Sequence, residues 1–449
     1  MRPRAVVTGL GAVTPLGVGA DELHRRAVAG ESGLADGLGL CRDFRPADHL
    51  SRQRIRRTDR FTQLALVAAA EALTQAGWTD GPLPHPAERI ACVVGCALGG
   101  TASFESQGEV LRGQGGDFVS PLMVPAMMAN AAASQIAQRH GFRGEAICVA
   151  SACSSATQAI GTALLLLAAG AADAVVVGGA EASTSPLVRA AFRTAGALSE
   201  SGRSVPFDRD RDGLLIGEGA GILVLETAAG AAARGATVLG EVLGYGATCD
   251  AHHLTAPDPT GAPAARAVTL ALDAAGVTPA DLGYLNAHGT GTVLNDRSEC
   301  EALRLALGPA LETVPLSSTK SCTGHLFGAA GAVEAIATLQ ALRHATAPPT
   351  VGLREPDERL GPLNLIGRAT PLAAPALPGG RRVGLSTSFG FGGHNAALVL
   401  AAAEAPGTAG TTSTAEMTSA AGTTRTTRRA GTTSATGTTG TTGATKGQE

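Results

Sequence analysis

The chain has 449 residues, of which 44% are hydrophobic, only 16% are charged and 60 are glycine. This length allows two domains or one large duplicated domain, and low charge with many small side chains favours an oligomer. A formal net charge of −3 argues against nucleic acid or a membrane surface as a general partner. The eight cysteines form no CxxC pair, and the start of the chain has no leader pattern, so we expect reduced thiols and a cytoplasmic location.

Short Val- and Ile-rich runs alternate with longer Ala-rich patterns along the chain, which is typical of an α/β architecture. Strands are predicted at Ala5–Thr8, Ile90–Val94, Glu145–Val149, Ala174–Val177, Gly221–Leu225, Val238–Tyr245, Leu282–Asn286, Val383–Thr387 and Ala396–Ala401. Helices are predicted at Thr62–Gln75, Ala129–Arg139, Ser155–Ala169, Ala264–Ala275, Asp296–Leu307 and Ala329–Arg343. The alternation occurs twice, so we expect an N-terminal half over 1–237 and a C-terminal half over 238–403. The Thr-, Gly- and Ala-rich segment 404–449 is expected to be a disordered tail.

The apolar stretch from Ala156 to Val177 imitates a membrane span. Gly170 and Asp173 divide it, however, into a helical part and a β-branched run that ends in two glycines. A helix that is apolar all round and is followed by a strand is typical of a buried core unit. We therefore expect no membrane span here.

The segment ICVASACSS leads from a strand through small residues into this apolar helix and contains Cys153. We expect Cys153 on a tight turn at the start of the helix, where free N–H groups and the helix dipole lower a thiol pKa. The same free amides can point at an oxyanion. The other seven cysteines are interpreted as small buried hydrophobes.

Two histidines lie on glycine-rich loops that follow predicted strands or precede predicted helices. His288 lies in NAHGTGT, directly after a strand, and His325 lies in TKSCTGH, before a helix. A lone histidine is more often structural, but two in such loops favour a catalytic role, because α/β sheets place their sites at strand ends. Neither belongs to an HxxxH or HExxH pattern, so no metal is expected.

Four charged residues accompany the histidine loops. Lys320 and Glu334 flank the second loop, and we expect them to orient His325 electrostatically, with plain surface charge as the alternative. Asp296 and Glu299 follow the first loop and could equally be an ordinary first turn of a helix.

The last glycine-rich loop, SFGFGGHN over 388–395, lies between two predicted strands. Its alternating Phe and Gly residues predict a mobile backbone with one bulky side chain that could gate a tunnel. A plain hairpin turn is the alternative.

Taken together, ASACSSA, NAHGTGT, STKSCTGHLFGAAGAVE and SFGFGGHN resemble the β-ketoacyl-ACP synthase II branch of the thiolase superfamily. The segments RAVVTGLGAVTPLG and SVPFDRDRDGLLIGEGAGILVLE resemble it as well, so the likeness extends from residue 2 to about residue 402. The resemblance implies a thiolase-like fold, in which two duplicated mixed-sheet halves stack as five α-β-α-β-α layers and usually dimerise.

The resemblance also implies roles for individual residues. Cys153 takes an acyl group from the phosphopantetheine arm of an acyl carrier protein, so the enzyme needs no cofactor of its own. The amides of Cys153 and Phe391 form the oxyanion hole, and Phe391 is also a gatekeeper. His288 and His325 stabilise the enolate that forms as the malonyl thioester loses carbon dioxide, and this carbanion attacks the acyl group on Cys153. Supporting roles are implied for Lys320, Glu334, Asp296, Glu299 and Asn395.

Further positions match the acyl pocket and the carrier-docking region of that family. The pocket residues are Leu98, Met123 and Phe192, which could instead be generic core. A basic cluster is interpreted as the docking surface for the acidic carrier, with a solvated face as the alternative. It consists of Arg52, Arg54, Arg56, Arg57 and Arg60. Gly196 departs from the family, because synthase II members often have an arginine there.

The pathway stays open at this stage. We lean towards the catalytic ketosynthase subunit of a type II polyketide or polyene system, either a homodimer or a heterodimer with a chain-length-factor-like subunit. A housekeeping fatty-acid elongation synthase is the alternative. A non-catalytic chain length factor would lack Cys153, a thiolase needs a second catalytic cysteine, and a priming synthase has Asn where His325 stands. A dinucleotide-binding protein is a weak alternative, since GLGAVT lacks the third glycine.

Overall fold

The structure, a computed structural model, describes residues 4–374 and 377–403, and the predicted tail over 404–449 lies outside them. The strands are β1 Ala5–Thr14, β2 Gly17–Val18, β3 Leu34–Ala35, β4 Leu38–Gly39, β5 Ile90–Gly95, β6 Ala146–Val149, β7 Ala174–Glu181, β8 Ile216–Gly217, β9 Gly219–Thr227, β10 Gly240–Cys249, β11 Leu282–Asn286, β12 Leu316–Ser317, β13 Thr346–Ala347, β14 Thr370–Pro371, β15 Val383–Gly390 and β16 His394–Ala402. The helices are α1 Ala20–Val28, α2 Arg52–Arg57, α3 Arg60–Gln75, α4 Thr101–Gln114, α5 Met123–Met127, α6 Ala131–His140, α7 Ser155–Ala168, α8 Pro186–Thr194, α9 Ala228–Ala233, α10 Ala262–Ala275, α11 Val293–Leu307, α12 Lys320–Thr323 and α13 Ala330–Arg343. All the predicted strands and helices are present.

The main sheet shows the internal duplication directly in its strand order. Ten strands follow one another as β12-β11-β15-β16-β10-β1-β9-β7-β5-β6, and β2 pairs with β1. We number the strands of each half in chain order and read outwards from the central β10–β1 pair. Both halves then show the same order, which is first, fifth, fourth, second and third strand. The antiparallel and parallel pairings between neighbouring strands also follow the same sequence in both halves. The two halves therefore repeat one topology. The boundary at residues 237 and 238 stays a prediction.

Glycines in the first strand of each half let a helix pack directly on the backbone. A Cβ on Gly9 would lie 2.0 Å from the carbonyl oxygen of Ala72 in α3. In the other half, a Cβ on Gly244 would lie 2.1 Å from the carbonyl oxygen of Ala271 in α10. This close approach explains why β1 continues through a glycine-rich segment, where the sequence prediction ended it at Thr8. It also rules out the dinucleotide loop, since GLGAVT is a buried strand.

The helices form three layers around the strands. α3 packs on β1 and β9 of the first half, and α10 packs on β10 and β16 of the second half. α7 and α13 contact strands of both halves and fill the space between them. This confirms the predicted five-layer α/β arrangement.

The apolar stretch from Ala156 to Val177, which imitated a membrane span, contributes to the central helix layer and to the main sheet. It is divided into the helix α7 and the fully buried strand β7. Among the described residues, no helix is both long enough and apolar enough to cross a membrane.

Candidate active site

Cys153 lies on a strained turn between β6 and α7. The preceding Ala152 has a φ of +50°, in the left-handed region that a residue with a Cβ rarely adopts, and Cys153 is buried. Strain of this kind persists only where the surrounding structure enforces it, and it is concentrated at functional sites. The turn predicted from the sequence is therefore present, with Cys153 in the short 3-10 turn that leads directly into α7.

The predicted lowering of the Cys153 pKa is wrong for the free enzyme. Burial raises the pKa of Cys153 to about 11, although the nearby Lys320 ammonium and the N–H of Phe391 act in the opposite direction. Withdrawal of the sulfur from water outweighs these contributions. The resting side chain of Cys153 is therefore a thiol.

This pKa predicts how fast an alkylating reagent reacts with the free enzyme. The rate of iodoacetamide modification of Cys153 should rise about tenfold per pH unit between about pH 7 and 10, because only the thiolate reacts. The measurement uses a Cys249→Ser background, since Cys249 is the exposed cysteine. A rate that stops rising below about pH 9 would show that the thiolate is far more stable than burial implies.

The turn after β15 brings a second backbone amide close to Cys153. Gly390 approaches so closely that a Cβ there would lie 3.0 Å from the amide nitrogen of Cys153. The N–H of the next residue, Phe391, is near enough to the sulfur of Cys153 to lower the pKa of that thiol. The amides of Cys153 and Phe391 are therefore adjacent, as an oxyanion hole requires. The loop is a true hairpin between β15 and β16, and its role as a gate stays a prediction.

His288 directly follows β11, and buried acceptors fix its backbone. Its N–H donates to the carboxylate of Glu299 at 2.8 Å and to the hydroxyl of Thr387 at 3.0 Å. The N–H of Gly289 donates to the other oxygen of Glu299 at 2.7 Å. Burial raises the pKa of Glu299 to about 7. Glu299 is thus a positioning residue for the His288 loop, rather than an ordinary helix first turn.

The Lys320–Glu334 pair holds His288, and not His325 as the sequence predicted. The ammonium of Lys320 donates to the backbone oxygen of His288 at 2.5 Å and lies 3.1 Å from its Nδ1. It also forms a buried ion pair with Glu334. Because an ammonium can only donate, Nδ1 must accept, and the ring proton of His288 then resides on Nε2.

The backbone of His325 is fixed by the segment Leu215–Gly217, to which the sequence analysis assigned no role. Its N–H donates to the carbonyl of Leu215 at 2.7 Å, and its carbonyl accepts from Gly217 at 2.9 Å. Within the described part of the chain, both ring nitrogens of His325 are buried without a hydrogen-bond partner. Such nitrogens indicate a site prepared for a polar group that arrives with the substrate.

Cys153 and the two histidines form one buried cluster. A ligating atom of each of Cys153, His288 and His325 lies within 4.8 Å of the others, and the two imidazole rings meet edge to face at 5.3 Å. Burial lowers the pKa of both histidines well below the usual value, and the positive charge of Lys320 lowers it further. Both rings are therefore neutral and can each donate one N–H. The Lys320 ammonium beside His288 disfavours a metal cation in this cluster.

Asp296 also fixes the backbone of the loop that carries His288. Its carboxylate accepts from the N–H of Phe207 at 2.9 Å and from the N–H of Gly291 at 3.2 Å. It also lies 3.4 Å from the guanidinium of Arg211 in a buried ion pair. Asp296, like Glu299, therefore acts through the backbone of the histidine loop.

A cavity of 270 Å³ opens onto the cluster and is lined by Cys153, both histidines, Phe389 and Phe391. Phe192 also lines it and stacks on Phe391 with ring centroids 5.9 Å apart. Asn395 lines the wall, and its amide donates to Asp250 at 2.6 Å. Thr290 and Thr292 line the same wall, and their hydroxyl groups lie 2.9 Å from each other. The NAHGTGT motif contained this signal, but the sequence analysis did not use its threonines.

Two predicted pocket residues lie elsewhere in the single chain. Leu98 is 49% exposed, Met123 is half-buried at the start of α5, and neither lines the cavity that holds Cys153. Their assignment to the acyl pocket stays a prediction that requires a second subunit.

The basic cluster divides into two parts. Arg52, Arg56 and Arg57 are exposed on α2, and Arg54 is half-buried beside them. The guanidinium of Arg60, by contrast, donates to the buried carboxylate of Glu218 at 2.6 Å and so stabilises the fold. The predicted docking role therefore does not extend to Arg60.

Comparisons with known proteins agree with this geometry. Residues 43–231 match the family described as "Beta-ketoacyl synthase, N-terminal domain", and residues 239–354 match "Beta-ketoacyl synthase, C-terminal domain". The "3-oxoacyl-[acyl-carrier-protein] synthase 2" of Synechocystis sp. is 39% identical over 414 residues, which cover 88% of this chain and 97% of that protein. The protein of the same name from Staphylococcus aureus is 37% identical over 418 residues, covering 90% and 99%.

Solved structures show the same likeness. "The ishigamide ketosynthase/chain length factor" superposes with a TM-score of 0.82 at 34% identity and covers 90% of this chain and 100% of that one. A type II PKS acyl-carrier protein "in complex with its ketosynthase bound to the hexaketide" gives a TM-score of 0.80 at 28% identity, with the same coverage. The chain therefore belongs to the β-ketoacyl synthase family. It is a condensing enzyme of the acyltransferase class, with the thiolase-like fold of that family.

Proposed function

We propose that this enzyme condenses an acyl group held on Cys153 with a malonyl group carried by an acyl carrier protein. The buried Cys153–His288–His325 cluster, with its ligating atoms within 4.8 Å of one another, carries the proposal. The intact nucleophile argues against a non-catalytic subunit, and His325 in the third position argues against a priming synthase. The relatives named as acyl-carrier-protein synthases support the choice of carrier.

In the first half-reaction the sulfur of Cys153 attacks the carbonyl carbon of the acyl thioester. The amides of Cys153 and Phe391 donate to the oxygen as it becomes negative. The thioester bond to the carrier arm then breaks, and the net proton transfer is from the Cys153 thiol to the departing arm sulfur. Because burial keeps this thiol neutral at rest, the free enzyme is protected from adventitious alkylation and oxidation.

In the second half-reaction the malonyl thioester occupies the same cavity. Its bond to the carboxylate breaks, carbon dioxide leaves, and the electron pair moves into an enolate whose oxygen accepts from His288 and His325. Neutral imidazoles suit this task, because they donate N–H groups without placing a cation in a dry site. The enolate carbon then attacks the acyl carbon on Cys153, and the carbon–sulfur bond breaks to free the β-ketoacyl product. The Cys153 thiolate that leaves takes up one proton from water, which restores the resting thiol.

For the partner subunit we propose dimerisation through the edge of the sheet near α4 and α5. β6 is an edge strand that pairs only with β5 among the described residues. Neither α4 nor α5 buries a residue within the chain, and Phe104, Leu111 and Val124 are more than half exposed. An open strand edge beside exposed apolar side chains favours a protein–protein interface. Leu98 and Met123 lie in this region, so a second subunit could complete the acyl pocket there.

For the carrier protein we propose a contribution from the exposed arginines of α2. Arg52, Arg56 and Arg57 offer positive charge to an acidic partner, with Arg54 beside them.

For the location we propose the cytoplasm. All eight cysteines lie in described residues and none forms a disulfide, which supports this location.

For the pathway we propose the catalytic ketosynthase subunit of a type II polyketide or polyene system. The likeness to the ishigamide and hexaketide ketosynthases supports this assignment, as does Gly196 where synthase II members often have an arginine. Housekeeping fatty-acid elongation is the second candidate, favoured by the 39% identity to the Synechocystis synthase.

Competition between acyl donors tests the pathway. Saturated acyl-ACPs and polyunsaturated or poly-β-keto acyl-ACPs of equal carbon number are mixed in equal amounts, and acyl-Cys153 is read by intact-protein mass spectrometry. We expect the unsaturated or keto donors to acylate Cys153 about tenfold faster, which corresponds to roughly 1.4 kcal/mol of discrimination. Preference for the saturated donors would assign the enzyme to fatty-acid elongation instead.

A further inference from the structure

The two backbone amides beside the sulfur of Cys153 belong to different parts of the fold. The amide of Cys153 lies in the turn that leads into α7, and the amide of Phe391 lies in the turn after β15. A side-chain hydrogen bond joins α7 to β15 close to both turns, because the hydroxyl of Thr157 lies 2.7 Å from that of Ser388. Thr157 follows Cys153 by four residues, and Ser388 precedes Phe391 by three. This contact is therefore placed to set the separation of the two amides.

Thr157 differs from the other polar side chains of α7, which is a mostly apolar helix of the core. The side chains of Ser155, Gln158 and Thr162 form their hydrogen bonds within α7 or with the turn before it. Among the described residues, the hydroxyls of Thr157 and Ser388 have only each other as hydrogen-bond partners. Thr157 is thus the polar residue of α7 that connects this helix to another element.

Helix α13 encloses the pair of hydroxyls. Thr157 and Ser388 are both buried, and a Cβ on Gly331 of α13 would lie 2.0 Å from the hydroxyl oxygen of Thr157 and 3.1 Å from that of Ser388. Glycine at position 331 therefore leaves the room that the pair occupies. Because a buried hydroxyl without a partner is costly, loss of one member of the pair favours a local shift of α7 relative to β15.

Neighbouring hydroxyls on β15 serve the two parts of the active site. The hydroxyl of Thr387 accepts from the N–H of His288 at 3.0 Å and donates to Glu299 at 2.8 Å. Side chains alternate along a strand, so Ser388 lies on the opposite face and meets Thr157. Thr387 therefore fixes the histidine loop, whereas Ser388 is bonded to the helix that follows Cys153.

We propose that Thr157 and Ser388 are positioning residues, whose hydrogen bond sets the distance between the amides of Cys153 and Phe391. This inference rests on the proposed function, in which both amides donate to the oxygen of the acyl carbonyl. That oxygen becomes negative twice, when Cys153 is acylated and when the enolate attacks the acyl group. Donors stabilise such charge only at the right distance, and a misplacement of about 1 Å costs about 10²-fold in rate. Decarboxylation does not use these amides, because the enolate oxygen accepts from the two histidines.

Thr157→Val tests this assignment, because valine has the shape of threonine without the hydroxyl. We expect the maximal rate of Cys153 acylation by acyl-ACP to fall about tenfold, while the donor concentration that gives half of this rate stays within about twofold of wild type. Ser388→Ala should have the same effect. The double variant should be no slower than either single variant, since both changes remove one shared interaction. Single-turnover reactions read by intact-protein mass spectrometry give these rates.

Decarboxylation reports whether the fold and the histidines are intact in these variants. Cys153→Ala/Thr157→Val should release carbon dioxide from malonyl-ACP within about twofold of the rate of Cys153→Ala alone.

Two further variants are controls on the acylation rate. Thr157→Ser keeps the hydroxyl and should acylate within about threefold of wild type. Thr162→Val removes another hydroxyl of α7, which donates to the carbonyl of Gln158 in the same helix at 2.9 Å, and it should leave the rate unchanged.

The proposal is overturned if Thr157→Val acylates at the wild-type rate, if Thr157→Ser is as slow as Thr157→Val, or if the two single losses multiply in the double variant. An equal fall in decarboxylation would also overturn it, because the damage would then not be confined to the two amides. Failure of the proposed function itself would look different, since the wild-type enzyme would then gain no acyl group on Cys153.

Discussion

Replacing Cys153 with alanine should lower the rate of condensation by about 10⁴-fold or more, while decarboxylation of the malonyl thioester continues. Without the sulfur no acyl group can be held, so the enolate has nothing to attack. The histidine pair is untouched by this change, because Lys320 and Glu299 fix His288, and Leu215 and Gly217 fix the backbone of His325. Product formation and carbon dioxide release, measured in the same reaction, report the two steps separately.

The matched control for this variant is Cys249→Ala, which removes the exposed cysteine and should leave both rates near wild type. If Cys153→Ala still condenses at more than about a hundredth of the wild-type rate, another residue must hold the acyl group.

Replacing His325 with alanine should lower the rate of decarboxylation and condensation by about 10²–10³-fold, the usual effect of losing one donor to a developing oxyanion. Acylation of Cys153 should stay within about threefold of wild type, since the amides of Cys153 and Phe391 stabilise that step. We expect this difference between the two half-reactions because both ring nitrogens of His325 are buried without a hydrogen-bond partner in the described residues, and one of them can donate to the enolate oxygen. Stopped reactions analysed for acyl-enzyme and for carbon dioxide give the two rates.

A matched comparison is Leu214→Ala, which removes a buried side chain beside the same cavity but no proton donor. It should affect the two half-reactions to similar degrees. Equal loss of acylation and decarboxylation in His325→Ala would contradict the role assigned to this histidine.

The strands and helices that bury strong apolar patterns were predictable from the sequence alone. β11 was predicted with its observed ends, and α7 and α13 within one residue, because each carries a continuous apolar run between small or charged residues. Helices α4 and α8 were missed for a physical reason. α4 buries no residue within the chain and has little of the apolar periodicity from which helices are predicted, whereas α8 has that periodicity but is only nine residues long, shorter than the window in which it is recognised.

The candidate site shows the same division between local and long-range information. The positions of Cys153, His288 and His325 follow from motifs that each lie within one turn of a strand or helix. The partner of Lys320 could not be predicted from a local motif, because its contact with His288 depends on how β11 and β12 align in the sheet. The thiol pKa was also beyond local reasoning. A turn at a helix N-terminus predicts a lowered pKa, but burial by the central helices and the β15–β16 hairpin reverses the direction.

A single-turnover experiment on the wild-type enzyme tests the central claim most directly. The enzyme is first incubated with one equivalent of acyl-ACP and then with malonyl-ACP, and its intact mass is recorded at each stage together with carbon dioxide release. We predict that the mass rises by one acyl group, that peptide mapping places it on Cys153, and that it disappears as an equal amount of carbon dioxide and β-ketoacyl-ACP forms. An enzyme that gains no acyl mass, or that keeps it while carbon dioxide is released, would contradict the proposed mechanism.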